Sequence, residues 1–328
     1  MSYDKSKECW IITDGTIGMF NQCVAVTESL KLEPTILKVH PTPILRLFPR
    51  LAKIPTWRLT IGRTPDWIKG PYPDYIVSCG RKMSGISIGL RRISKGKSKT
   101  IHIQDPGITP ENFDVLIVPS HDKVAQLENN YPNLIVSTGS LTSLVKERIM
   151  SSTSKMINRF GPINGKQILV LLGGNNRRYR VTNKAVEKMA ENLNRYATKK
   201  NARLIIIPSR RTPSKAKFLF ERKIESQRHI FWDGKMSNPY PEIFSIADEI
   251  IVTSDSVNMA TEACIFGLPV LIAYWQEERG RIAKFHNIMN DGGFTYPFSE
   301  NTELIQPKIL NQMPNIAIKI RAILNEKL

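Results

Sequence analysis

The residues of this sequence best suited to chemistry sit just after short apolar runs. Thr13-Asp14-Gly15-Thr16-Ile17-Gly18, with Asn21 and Gln22 following, sets a carboxylate beside glycines that permit close backbone approach to a ligand. The same pattern also suits a tight turn capped by Asp14. Further on, Cys79-Gly80-Arg81, Gln104-Asp105-Pro106 and Ser120-His121-Asp122 repeat the arrangement. Histidine is the residue type suited to carry a proton near neutral pH, a role His121 could fill with Asp122 or Asp105 orienting it. Gly173-Gly174-Asn175-Asn176 and Ser209-Arg210-Arg211-Thr212 suit phosphate, through glycine-exposed amides and an arginine fork. In Thr253-Ser254-Asp255-Ser256, a strand runs into a cap and a helix whose start favours an anion. Glu262 follows two helical turns later on the same face, within reach of a ribose hydroxyl, or simply solvated.

The motifs narrow the chemistry by what they lack. Neither G-x-G-x-x-G nor a P-loop is present, so nicotinamide and ATPase readings are weak. No Asp-x-Asp pair occurs, so no metal site is expected and protein donors must stabilise any leaving charge.

The elements that position these residues follow from hydrophobic patterning. Apolar runs begin at Cys9, Thr35, Tyr75, Thr100, Val115 and Leu134, then at Ile168, Arg203, His229, Glu249 and Val270. Helix-compatible stretches separate them, and several runs are apolar at successive positions, as parallel strands buried on both faces require. The chain has 328 residues, enough for two cores. It therefore reads as α/β, with two Rossmann-like parallel-sheet domains facing a central cleft. Their expected bounds are 1–160 and 161–302, with a helical tail over 303–328.

The order of Thr13-Asp14-Gly15 with Asn21-Gln22, Ser78 to Arg81, His102 to Pro106, Pro119 to Asp122, Gly173 to Asn175, Ser209 to Pro213, Asn238-Pro239-Tyr240 and Thr253 to Met259 with Glu262-Ala263 resembles a family over nearly the whole chain. It is the mitochondrial-fission Elm-type family and its bacterial relatives, regarded as GT-B glycosyltransferases. The resemblance implies a C-terminal domain that binds a nucleotide sugar and an N-terminal domain that presents the acceptor. Some members are described as sugar-nucleotide epimerases.

The leading expectation is a metal-independent glycosyltransferase that uses a nucleotide-diphosphate sugar as substrate and needs no cofactor. Gly173, Gly174, Asn175, Ser209, Arg210, Asp255 and Ser256 would take the diphosphate and Glu262 the ribose. Asp14 is the first candidate base, with His121 and Asp105 behind it; Gly15, Asn21, Gln22 and Arg81 would face the acceptor.

The net charge of +18 attracts polyanions. Residues 44–63 mix Leu47, Phe48, Ile54 and Trp57 with Arg46, Arg50, Lys53, Arg58 and Arg63, a blend that suits an anionic membrane surface and a lipid-linked acceptor, or else an amphipathic core segment. No nucleic-acid-binding signature accompanies the charge. The polar N-terminus and four scattered cysteines lead to an expectation of a cytoplasmic protein, peripheral at the membrane. A non-catalytic membrane-associated adaptor is the rival from outside enzymology.

Overall fold

The computed structural model describes residues 7–56, 58–62, 65–176, 180–224, 229–302 and 306–325. Twelve strands follow in chain order: β1 (Cys9–Thr13), β2 (Pro34–Lys38), β3 (Tyr75–Cys79), β4 (Lys99–Ile103), β5 (Val115–Pro119), β6 (Leu134–Ser137), β7 (Lys166–Leu172), β8 (Ala202–Pro208), β9 (Ile230–Phe231), β10 (Glu249–Thr253), β11 (Val270–Ala273) and β12 (Tyr296–Pro297). They form two six-stranded sheets, ordered β2-β1-β3-β4-β5-β6 and β12-β11-β10-β7-β8-β9. Every pairing within them is parallel.

The successive apolar residues of each strand explain this architecture. In β7, Leu169 and Leu171 enter one core, while Ile168, Val170 and Leu172 enter another on the opposite face. β8 divides likewise, Ile205 and Ile207 against Leu204 and Ile206. In the first sheet, Val115 and Ile117 of β5 lie opposite Leu116 and Val118. A strand buried on both faces has no polar side to give to water, and helices on each face complete the burial.

The chain divides into two compact units, Met1–Ser143 with Gln312–Leu328, and Leu144–Asn311. Helices Lys146–Met150 and Thr153–Phe160 precede Gly161 yet belong to the second unit, because Ile149 and Met156 join the core of Phe244 and Ile250. The final helix, Met313–Ile323, buries Ile316 and Ile320 in the first unit's core beside Val26 and Ile135. The tail is therefore part of the first unit rather than a separate element.

In doubly wound sheets the ligand crevice opens where strand order reverses, beyond the carboxyl ends of the strands. The reversal falls between β1 and β3 in the first sheet and between β7 and β10 in the second. Asp14 follows β1 and Asp255 follows β10, so each unit carries a carboxylate at its reversal.

Candidate functional site

In the first unit, Asp14 Oδ2 accepts from Lys82 Nζ at 2.8 Å, and its Oδ1 accepts the Thr16 amide at 3.0 Å. Burial alone would raise this carboxyl, but the hydrogen bonds from Lys82 and Thr16 outweigh it and lower its pKa to about 2. A carboxylate so held is ionised near neutrality, with Lys82 and the Thr16 amide already occupying its oxygens. Gly15, at φ +85°, and Asn21 are exposed. Gln22 is not available to an acceptor: it is buried, gives its amide hydrogen to Gly18 O at 3.1 Å and accepts the Leu141 amide at 3.5 Å. Arg81 is exposed at the start of helix Arg81–Ile93 and lies against the Gly107 turn, where an added Cβ would come within 2.7 Å of Arg81 Nε.

Asp105 accepts the Gly107 amide at 2.8 Å and closes that turn. His121 and Asp122 are both buried, with Nε2 and Oδ1 4.0 Å apart. The histidine lodged deepest in the core is His102. Its Nδ1 lies 2.8 Å from Ser78 Oγ, its ring stacks on Phe113, and burial lowers its pKa to about 3.

In the second unit, Asp255 is the centre of a convergent network. Its Oδ2 accepts the Gly174 amide at 2.9 Å and pairs with Arg211 at 2.9 Å. Its Oδ1 accepts from Thr253 Oγ1 at 2.8 Å and from Trp275 Nε1 at 3.0 Å. The Gly173 amide donates to Thr253 Oγ1 at 2.7 Å. A Cβ at Gly173 would meet the Asp255 carboxylate at 2.2 Å, and one at Gly174 would meet Arg211 O at 2.0 Å. Gly173 thus admits the Asp255 carboxylate and Gly174 the Arg211 backbone, and their amides go to Thr253 and Asp255 where the sequence reading offers them to phosphate. Ser256 is likewise committed, as the N-cap that accepts the Met259 amide.

The remaining phosphate candidates lie on the rim. Asn175 is exposed and accepts the Val181 amide at 2.8 Å. Ser209 Oγ accepts the Arg211 amide and sits 3.2 Å from Thr212 Oγ1. Arg210 is exposed, whereas its neighbour Arg211 is the one tied to Asp255. Glu262 is buried in helix Val257–Ala263 and accepts a hydrogen bond from Tyr240 Oη. Burial raises its carboxyl to a pKa of about 8, so it is largely protonated at neutral pH and carries a donor as well as an acceptor.

Sequence reasoning missed a neighbouring pocket of about 450 Å³ beyond β11, lined by Tyr274, Gln276, Glu278, His286 and Asn287. Burial raises Glu278 to about 7, and its Oε1 has no hydrogen-bond partner among the described residues. The His286 Nε2–H donates to Ser254 O at 2.8 Å, leaving Nδ1 without a partner among those residues. The signal was present in the polar run after Ala273, which interrupts the apolar strand at its carboxyl end.

With this geometry in view, comparisons with known proteins give a consistent picture. The family described as Mitochondrial fission ELM1 matches residues 17–324. The Arabidopsis thaliana protein "Mitochondrial fission protein ELM1" is 23% identical over 272 residues, covering 76% of this chain but only 63% of the relative's length. "Uncharacterized protein RP120" of Rickettsia prowazekii is 24% identical over 302 residues, 81% of this chain and 82% of that protein. Among solved structures, the UDP-GlcNAc 2-epimerase of Methanocaldococcus jannaschii superposes with a TM-score of 0.55 at 13% identity, covering 97% of this chain and 99% of its own. MurG of Acinetobacter baumannii gives 0.51 at 14% identity, covering 97% and 92%. Likeness at this level shows a shared fold, the GT-B-like pairing of two Rossmann-like units. The chain belongs to the mitochondrial fission ELM1 family.

Proposed function

We propose that this protein is a metal-independent glycosyltransferase that takes a nucleotide-diphosphate sugar in its second unit and passes the sugar to an acceptor met by the first, a membrane glycolipid or cell-envelope glycan. The observation that carries the reading is Glu262: a buried carboxyl held by Tyr240, with its pKa raised to about 8, on the helix that follows β10. A protonated carboxyl can both give and accept a hydrogen bond, which matches a vicinal pair of ribose hydroxyls. Exposed Arg210, with Asn175 and Ser209 on the same rim, supplies cationic and polar contacts for the diphosphate. The polar pocket beyond β11 has room for a hexose, with Gln276, Glu278 and Asn287 to meet its hydroxyls. On the first unit, Gly15, Asn21 and Arg81 face solvent near the first reversal and are proposed for the acceptor, with Asp14, His121 and Asp105 the base candidates.

A second reading, epimerisation of the nucleotide sugar, draws on the fold shared with the UDP-GlcNAc 2-epimerase and on Glu278. Epimerisation by proton exchange removes a proton from one sugar carbon and returns it to the opposite face, and a carboxyl with a pKa of about 7 is matched to that transfer. It predicts solvent deuterium in the product without any acceptor, whereas transfer requires one.

Calorimetric titration of UDP, GDP, CMP, ADP and dTDP tests the shared donor site. One nucleotide should bind selectively, with affinity at least about tenfold weaker in Glu262→Ala and in Arg210→Ala, as expected when a hydrogen bond to a buried or charged group is lost. Failure of all five to bind would reject both enzymatic readings and favour the adaptor.

A further inference from the structure

The first unit carries a second constellation, away from the first reversal, on the segment between β2 and β3. In the short helix Pro43–Leu47, Leu45 is fully buried, and Pro49 beyond it is buried too. Ile44, Leu47 and Phe48, at the i, i+3 and i+4 positions of the same turn, are 51%, 63% and 61% exposed. Ile54 and Ile61 of the same segment are exposed as well. The segment is seated firmly. Leu45 and Leu59 fill notches left by Gly85 and Gly89 of helix Arg81–Ile93, where an added Cβ would come within 2.6 and 2.4 Å of them. The exposed apolar face is thus the side of a clamped segment. Trp57 and Arg63, which the sequence reading grouped with it, lie outside the described residues.

The sequence that builds this face is rich in cations, and Glu111 is the acid in the lining of its pocket. Residues 34–65 contain Lys38, Arg46, Arg50, Lys53, Arg58 and Arg63 and no Asp or Glu; residues 75–104 contain seven Lys or Arg and again no acid. A pocket of about 280 Å³ opens where the two stretches meet, lined by Lys53, Ile88, Arg91, Arg92, Lys95 and Glu111. Arg91 is committed to Asp114, through bonds of 3.0 and 3.1 Å. Lys53 and Lys95 have no carboxylate partner among the described residues. Among the described residues the Arg92 guanidinium bonds the Ile54 carbonyl and no carboxylate. The pocket lies by the amino end of β4, which begins at Lys99, whereas Asp14 and Arg81 lie at carboxyl ends.

We infer that this face is a docking surface for an anionic lipid bilayer, with Ile44, Leu47 and Phe48 entering the interface and Lys53, Arg92 and Lys95 taking a lipid phosphate. Exposed apolar side chains among unpaired cations match a bilayer interface, where hydrocarbon contact and attraction to anionic headgroups act together. The inference deepens the proposed membrane acceptor but rests on the first unit alone, and nucleotide titration reports the second unit independently.

The test is co-sedimentation of the full chain with vesicles of phosphatidylcholine, with and without phosphatidylglycerol. Binding should require the anionic lipid and weaken as salt rises. Two double variants at exposed positions should lower partitioning: Lys53→Gln with Lys95→Asn by about twenty-five-fold, since each cation near an anionic surface is worth roughly a factor of five, and Leu47→Ser with Phe48→Ser by at least about tenfold through lost hydrocarbon contact. Unchanged partitioning in both variants, or equal binding to neutral vesicles, overturns the proposal. So does a dimer abolished by Leu47→Ser with Phe48→Ser in a chain that ignores vesicles, which would make the face an interface between copies. Glycerol phosphate that abolishes binding while the apolar variant partitions like the parent would assign the pocket to a free phosphate instead.

Discussion

The two reversal points place the same residue type in the same topological position and use it in opposite ways. After β1, Asp14 has one charged partner, Lys82, and stands among exposed residues, Gly15, Thr16 and Ile17. After β10, Asp255 is enclosed, with Gly174, Thr253, Trp275 and Arg211 donating to it. Position at the carboxyl edge of a sheet therefore does not make a carboxylate a ligand group; the number of donors already aimed at it decides. In the second unit the groups proposed for a ligand lie apart from Asp255: exposed Arg210, buried Glu262 and the pocket beyond β11.

The sharpest way to break this comparison is through the glycines beside each carboxylate. Gly174→Ala drives a Cβ to 2.0 Å from the Arg211 carbonyl, a backbone atom that cannot swing away. It should cost more than about 3 kcal/mol, since relief demands movement of a packed strand end. Gly15→Ala meets only the flexible end of Lys38, at 3.0 Å, so its cost is that of the positive φ, about 1 kcal/mol. Urea denaturation of both variants checks this; equal losses would mean that the second reversal is as open as the first.

The sequence made the scaffold legible because its strands are buried on both faces. Ile168 to Leu172 and Val115 to Val118 announce themselves without any alternation to interpret. The edge strand β12 escaped notice, since two residues ending in a proline make no pattern. The Asp255 network was illegible for another reason: its donors come from positions 174, 211, 253 and 275, and only the fold brings them together. Adjacent Arg210 and Arg211 are chemically identical, and no spacing rule says which one turns inward. Buried Gln22 was misread for the same reason, its partners Gly18 and Leu141 spanning the first unit.

Glu262 sharpens the contrast through pH. Its folded pKa of about 8 lies above the usual 4.5, so the folded state holds a proton that the unfolded state has lost. The stability it contributes is complete below about pH 4.5 and declines as pH rises to about 8, where the loss levels off. Glu262→Gln keeps the shape and removes the titration. The variant should gain on the parent by on the order of 2–4 kcal/mol between pH 5 and pH 9. Denaturation curves across that range provide the check; parallel pH profiles would mean that Glu262 is ionised in the folded protein.

Asp14 titrates in the opposite sense and with a smaller effect. Its folded pKa of about 2 lies below the usual 3.8, so the stability it adds is present above about pH 4 and lost as pH falls through 2. Lys82 is 41% exposed, so water screens the pair, and Asp14→Asn should cost no more than about 1 kcal/mol at neutral pH. The substitution keeps the Thr16 bond within reach of the side-chain carbonyl, leaving the turn after β1 intact. Its larger consequence should be functional if Lys82, released from its partner, is drawn to an anionic acceptor: turnover would then change while nucleotide affinity in the second unit stays fixed. A loss of several kcal/mol instead would give Asp14 the same internal role as Asp255 and erase the difference between the two reversals.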